Sequence, residues 1–205
     1  VGIDSRNPIE TAPMAPGVDF SRCDCKDETA VKQAFTGCDI VVHMAAHLGG
    51  HRYINENAYA VFSDNIAIDT SVFRACVALG VERLIYPSSS CVYPSDEQAT
   101  EDSTLLEADA WKTLKPDCAY GWGKIMGELA LSNTPIKSRI VLRLFGVYGD
   151  GSIGQVVPDL IQKVMSAPIG GSVAVQGDGS ATRAFMFIDD VMDAYTRALA
   201  LEMKP

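Results

Sequence analysis

The sequence predicts a doubly wound α/β fold, a mostly parallel sheet covered by helices on both faces. Three observations predict it. Residues 40–44, 84–86 and 140–145 are strand-length apolar runs, interrupted only by His43 and Arg143, the pattern of strands buried on both sides. Helical stretches at 58–79 and from 119 onward separate those runs and give the alternation of strand and helix. The chain opens with Val1, Gly2, Ile3 and Asp4, which reads as the end of a buried strand with an acid at its tip.

Composition bounds the function. The chain has 205 residues, 47% hydrophobic and 21% charged, enough for one sizeable domain with its own core. Net charge is −9, and the chain contains no basic run. Nucleic acid and anionic membrane surfaces are therefore not expected partners. No apolar run reaches the ~18 residues that cross a bilayer, and no signal peptide is visible. The six cysteines, at 23, 25, 38, 76, 91 and 118, lack the CxxC pairs or histidine clusters of a zinc site. They read as reduced thiols of a cytoplasmic protein, with no metal expected.

Taken in order, Asp4 stands where a dinucleotide-binding fold holds the adenosine ribose hydroxyls, at the end of the second strand. The first strand, its glycine-rich turn and the first helix belong before it. The chain therefore reads as part of a longer protein, and the sheet is expected to have a gap where that central strand belongs. Residues 5–17 hold three prolines and read as a loop. A short strand follows at 18–23. Then comes a helix at 27–35 that Gly37 closes. After the apolar run at 40–44, the small residues Ala45 and Ala46 leave room for a ligand to approach the backbone. His47, Gly49 and Gly50 open a loop to Asn57, and His47 and His51 are acid/base candidates on chemistry alone. The amphipathic helix at 58–79 ends at Gly80 and carries Asn65 in its interior, where a buried amide can bond across to the active-site strand.

The next strand, 81–90, ends in Ser88, Ser89 and Ser90, followed by Cys91, Val92, Tyr93 and Pro94. A polar stretch at 100–117 reads as a loop over the site. Tyr120 and Lys124 follow, four apart and so on one face of a helix that stops near Asn133. A free tyrosine titrates near pH ~10. A lysine ammonium beside it favours the phenolate, which can take a hydroxyl proton while hydride leaves the same carbon. A serine at the strand end, Ser89, can bond that hydroxyl and relay the proton. A strand at 140–145, a helix from Gln155 to Met165, strands at 173–176 and 185–188, and a final helix from Asp189, with Tyr195 and Leu199 on one face, complete the chain.

Five segments in this order resemble the NAD-dependent epimerase/dehydratase family of extended short-chain dehydrogenases/reductases. They are Ala45 to Gly50, Ser88 to Pro94, Glu107 to Trp111, Ala119 to Lys124, and Gly177 to Asp189 with Arg183 inside it. Within that family the motifs are most similar to those of GDP-mannose 3,5-epimerases, with GDP-fucose synthases next. Cysteine at position 91 is the most specific element, since most relatives carry threonine there.

The resemblance implies a Rossmann-like NAD(P)-binding domain over residues 1–149 and, interleaved with it, the start of a sugar-nucleotide-binding region over 150–205. It implies NAD as cofactor, with NADP as the alternative, held by Asp4, Asp24, Cys25, Ala45, Ala46, Asn65, Tyr120 and Lys124. The substrate it implies is a sugar nucleotide, a GDP-hexose foremost, held by Gly49, Gly50 and Arg183. A guanidinium suits the diphosphate because it donates parallel hydrogen bonds. Ser89, Tyr120 and Lys124 are the expected catalytic groups for oxidation at C4. Cys91 is expected to exchange a proton at C3 or C5, beside the resulting ketone. A homodimer is the implied assembly. Two departures bear on the reaction. Gly146 replaces a usual asparagine. Gln155 and Val156 occupy the place of a catalytic lysine in the epimerase pattern and a histidine in the synthase pattern. The alternatives are a C4-only epimerase, a dehydratase, a 4-keto reductase, or a non-catalytic protein binding NAD or a sugar nucleotide.

Overall fold

A computed structural model describes residues 1–6, 16–94, 104–152, 155–175, 177 and 182–202. The expected turn after Gly177 and the first residues of the expected active-site loop lie outside these.

The strands pair in parallel, in three pieces. Strand β1 (Gly2–Asp4) pairs β2 (Phe20–Arg22). Strands β3 (Ile40–Val42), β4 (Arg83–Ser89) and β5 (Ser138–Leu144) form a sheet in that order. Strand β6 (Val147–Tyr148) pairs β7 (Met186–Phe187). β1 and β3 are not joined. They face each other across an open cleft that both line, and on β3 Ile40 and Val42 stay about two-fifths exposed. The gap falls where the sequence puts it.

Helix α1 (Glu28–Phe35) starts where Asp27 accepts the amides of Thr29 and Ala30, and Gly37 turns the chain with φ +79°. Helix α3 (Ala58–Leu79) closes on Gly80 in the left-handed region, which glycine adopts without a Cβ penalty. It packs against both α1 and α5 (Ala119–Ser132). On β4, alternate residues serve opposite layers. Leu84 and Tyr86 join the core under α1 and α3, while Ile85 joins Val191, Tyr195 and Ala198 of α7 (Ile188–Ala200). Both faces of the strand are thus covered, which is why its middle, Leu84 to Tyr86, is continuously apolar.

Four expectations change. The loop after Gly50 contains a short helix, α2 (His51–Glu56). The loop before Tyr120 contains a single helical turn, α4 (Asp109–Lys112). Residues 173–175 are not in a strand, since β6 is the partner of β7. Leu199 does not share the buried face of Tyr195 but is 42% exposed. It is one residue from Ala198, and the i, i+4, i+7 face belongs to Val191, Tyr195 and Ala198. The remaining helix, α6 (Val156–Ser166), has no buried residue.

Candidate active site

Tyr120 and Lys124 lie one turn apart on α5, and Glu128 continues the same face. All three are buried, with Lys124 only 2% exposed. Glycines let this helix seat closely. A Cβ at Gly121 would lie 2.1 Å from the Cys91 carbonyl oxygen, and one at Gly127 would lie 2.2 Å from the Tyr86 hydroxyl. Helix α5 therefore presses directly on β4 and on the 3-10 turn Ser90–Val92 that follows it.

The Lys124 ammonium stands 4.4 Å from the centroid of the Tyr86 ring and 5.7 Å from that of Tyr120, within cation–π range of ~6 Å. Burial lowers its pKa, while the carboxylates of Asp69 and Glu128 oppose that shift. The Tyr120 hydroxyl is pushed above its ordinary value, first by burial and then by the negative charge of Cys91. This corrects the direction expected from the Tyr120–Lys124 spacing. Here the lysine charge lies against two ring faces and near two carboxylates, and it does not offset the water Tyr120 has lost.

Two buried carboxylates organise this layer. Asp69 on α3 accepts the Tyr86 hydroxyl at 2.6 Å, and its other oxygen is 2.9 Å from His43 Nε2. Glu128 accepts the Ser88 hydroxyl and holds Arg143 through two bonds of 2.9 and 2.8 Å, the strong two-point geometry of a guanidinium on a carboxylate. Ser88 is thereby committed to the framework. Ser89, at the end of β4, is half-buried, and its oxygen accepts the Cys91 amide at 3.2 Å. Its hydroxyl is also a hydrogen-bond partner of the Cys91 thiol, whose pKa it helps to lower.

Cys91 shares a small apolar cluster with Tyr120, Ala46, Ile54, Val61 and Cys118. A hydrogen bond from Cys118 holds the Cys91 thiol below its ordinary pKa, against burial and the nearby Asp117 charge.

The cleft between β1 and β3 measures about 650 Å³ and is lined by Asp4, Asp24, Cys25, Ala45 and Ala46. These five expected cofactor positions come together at the carboxyl ends of parallel strands, where open α/β sheets bind ligands. Asp4 accepts the Arg6 backbone amide at 2.8 Å, and its side chain bonds the Arg6 guanidinium, which lowers its pKa. Ala46 bridges the cleft to the Tyr120 cluster. Asn65 is buried and clamps the loop after β3, accepting the His47 amide at 3.0 Å and donating to the His47 carbonyl at 2.8 Å. Its partner is thus that loop and not β4.

Gly49 lies against the Tyr53 ring, where a Cβ would come within 2.4 Å, and Gly50 caps α2. His47 bridges Asp64 Oδ2 at 2.8 Å and the Tyr53 hydroxyl at 2.8 Å. His51 is exposed and bonds Asn55 within its own helix. Arg183 is exposed and donates to the neighbouring Thr182 carbonyl, so the structure does not tie it to the Tyr120 cluster. Gly146 packs on the Ala184 carbonyl and the Phe185 ring, and a Cβ there would come within 2.9 Å of both. An asparagine does not fit this backbone. Gln155 and Val156 are both exposed at the start of α6.

Sequence reading missed Asp69, Glu128, Tyr86, His43 and Arg143 as supports of the site, and Cys118 as the partner of Cys91. Part of the signal was present. Asn65 and Asp69 are four apart within an apolar helix, and so are Lys124 and Glu128. Polar pairs at that spacing on a buried face need partners inside.

The model of the NAD dependent epimerase/dehydratase family matches residues 1–204. The chain is 29% identical over 169 residues to GDP-mannose 3,5-epimerase 1 of Oryza sativa subsp. japonica, covering 78% of this chain and 44% of that protein. It is 31% identical over 191 residues to the 3beta-hydroxysteroid-dehydrogenase/decarboxylase isoform 1 of Arabidopsis thaliana, covering 89% and 40%. It thus spans less than half the length of these relatives. Its fold is that of a dTDP-glucose 4,6-dehydratase double mutant from Streptomyces venezuelae, with TM-score 0.78, 20% identity, and 97% and 62% of the two chains covered. The UDP-glucose 4-epimerase of Thermus thermophilus aligns with TM-score 0.76 and 24% identity, covering 93% and 63%. With the parallel sheet, the Tyr120–Lys124 helix and a family match along almost its whole length, the chain belongs to the NAD dependent epimerase/dehydratase family.

Proposed function

We propose that the protein is a sugar-nucleotide epimerase that transiently oxidises its substrate at C4 and exchanges a proton at C3 or C5. The observation that carries this reading is that Cys91 and Tyr120 belong to one cluster, with Ala46 joining that cluster to the cleft. Two proton-transfer groups of different type thus lie in one neighbourhood, as a reaction at two carbons requires.

The residues at the carboxyl end of the cleft suit NAD, with small side chains at Ala45 and Ala46 and acids at Asp4 and Asp24. NAD, when bound, accepts the hydride from C4 and returns it. Tyr120 removes the C4 hydroxyl proton in that step, and Ser89 donates a hydrogen bond to the same oxygen. Lys124 supplies positive charge at the Tyr120 and Tyr86 rings, and Asn65 fixes the loop that carries Gly49 and Gly50. The C4 ketone acidifies the neighbouring C–H bonds. Cys91, its thiolate favoured by the bond from Cys118, takes the proton and returns it.

The GDP-mannose 3,5-epimerases among its relatives favour a GDP-hexose as substrate, with Arg183 facing the diphosphate in the bound complex. A C4-only enzyme is the second reading, favoured by Gln155 and Val156, which offer no titratable group at the start of α6. Incubating the full-length protein and NAD with GDP-, UDP- and dTDP-hexoses, followed by NMR of the sugar, tests both. A 3- or 5-epimer of a GDP-hexose supports the first reading. A product inverted only at C4 supports the second.

A further inference from the structure

We infer that Cys91 and Cys118 are a redox pair that closes reversibly to a disulfide. The Cys91 and Cys118 sulfurs and an Asp117 carboxylate oxygen all lie within 4.8 Å of one another. The two segments are tied together on either side. The Asp117 amide donates to the Cys91 carbonyl at 3.2 Å, and Pro94 bridges Pro116 in antiparallel register. Gly121 removes the Cβ that would keep the start of α5 from the Cys91 backbone. The sulfurs therefore approach without bending either segment far, which disulfide geometry demands.

The pair also differs from other thiols of the chain. Cys23, Cys25 and Cys76 are buried, and burial pushes their pKa upward, Cys25 to about 11 and Cys76 to about 12. Cys91 and Cys118 are partly exposed, and hydrogen bonding with Cys118 lowers the Cys91 pKa. A partly exposed thiol biased to thiolate with a second sulfur within 4.8 Å is the arrangement of an attacking and a resolving cysteine.

The oxidant is a hydroperoxide, hydrogen peroxide in the simplest case. The Cys91 thiolate attacks one peroxide oxygen. An S–O bond forms, the O–O bond breaks, and the leaving hydroxide takes a proton to become water. Cys91 is now a sulfenic acid, oxidised by two electrons. The Cys118 sulfur then attacks the Cys91 sulfur. The S–S bond forms, the S–O bond breaks, and the second hydroxide leaves as water with the Cys118 proton. Two thiols and one peroxide thus give one disulfide and two waters. Such a bond withdraws Cys91 from proton transfer. That consequence rests on the acid/base role proposed above, whereas the disulfide itself does not.

The test is mass spectrometry of the full-length protein after brief exposure to hydrogen peroxide, which needs no substrate. The expected product is a Cys91–Cys118 cross-linked peptide pair two hydrogens lighter than the reduced peptides, restored by dithiothreitol. In Cys118→Ser, Cys91 is expected as a sulfenic acid trapped by dimedone, then over-oxidised. In Cys91→Ser, Cys118 is expected to stay reduced at the same dose. Wild-type Cys91 that stays reduced, goes directly to sulfinic acid beside a reduced Cys118, or pairs with another cysteine would overturn the inference. Activity lost with the disulfide and regained on reduction would extend it to regulation. A clean disulfide with unchanged activity would leave the redox pair standing and count against Cys91 as the acid/base.

Discussion

Tyr120 and Cys91 belong to one cluster, yet their surroundings push them in opposite directions. Burial and the neighbouring thiol raise the pKa of the tyrosine hydroxyl, while the Cys118 hydrogen bond lowers that of Cys91. Tyr120→Phe removes one hydroxyl and no packing volume, so the fold is expected to persist while turnover falls by about 10²–10⁴-fold, the usual worth of a proton-transfer group. Turnover with matched circular dichroism checks this, and full activity in the variant ends the assignment. For Cys91 the pH sign follows from its lowered pKa. Thiolate is present at lower pH than for a free cysteine near ~8.5, so iodoacetamide should alkylate Cys91 at correspondingly lower pH. Cys118→Ala removes the donated hydrogen bond and should move that profile upward. An unmoved profile would show that Cys118 does not tune the thiol.

At the scale of elements, the site depends on how closely α5 approaches β4 and α3. Gly121→Ala would place a methyl 2.1 Å from the Cys91 carbonyl oxygen, so α5 must lift away from the 3-10 turn. A loss of about 1–3 kcal/mol is expected from such overpacking, read by urea unfolding, together with a fall in activity. Asp69 is the other dependence, facing Tyr86 and His43 and lying near the Lys124 charge. Asp69→Ala leaves the buried Tyr86 hydroxyl and His43 without their partner and should cost about 1–3 kcal/mol. A change well below about 1 kcal/mol would mean that these groups find other partners. Helix α5 and the shared face of Tyr120 and Lys124 were legible because a four-residue spacing maps onto one face. Asp69 was not assigned as a support, because its partners come from β3 and β4, and sequence spacing within one helix does not reveal contacts between elements. The direction of the Tyr120 shift was also misread. Spacing gives the nearest charge, whereas burial depends on everything packed around the hydroxyl.

Over the whole molecule, sequence reading found the parallel architecture and the interruption between β1 and β3, because continuous apolar runs mark doubly covered strands. Asp4, Asp24, Cys25, Ala45 and Ala46, which it read as cofactor positions, line one cleft. Sequence reading was weakest at β6, a two-residue strand it did not find, and at residues 173–175, which it read as a strand and which lie outside one. Short exposed segments carry little periodicity to read. Among the described residues no helix is long and apolar enough to cross a membrane.

The central claim is that Cys91 moves a carbon-bound proton beside a ketone that Tyr120 helps to form. Simple hydride chemistry at C4 needs no such group. The most direct measurement is NMR of a GDP-hexose incubated with the full-length enzyme and NAD in heavy water. Deuterium should appear at C3 or C5. Because Gln155 and Val156 offer no second titratable group, uptake should outpace net inversion. Cys91→Ser should abolish the uptake while sparing oxidation at C4. Absence of deuterium at both carbons, with any GDP-hexose the enzyme oxidises, would contradict the claim and leave a C4-only enzyme.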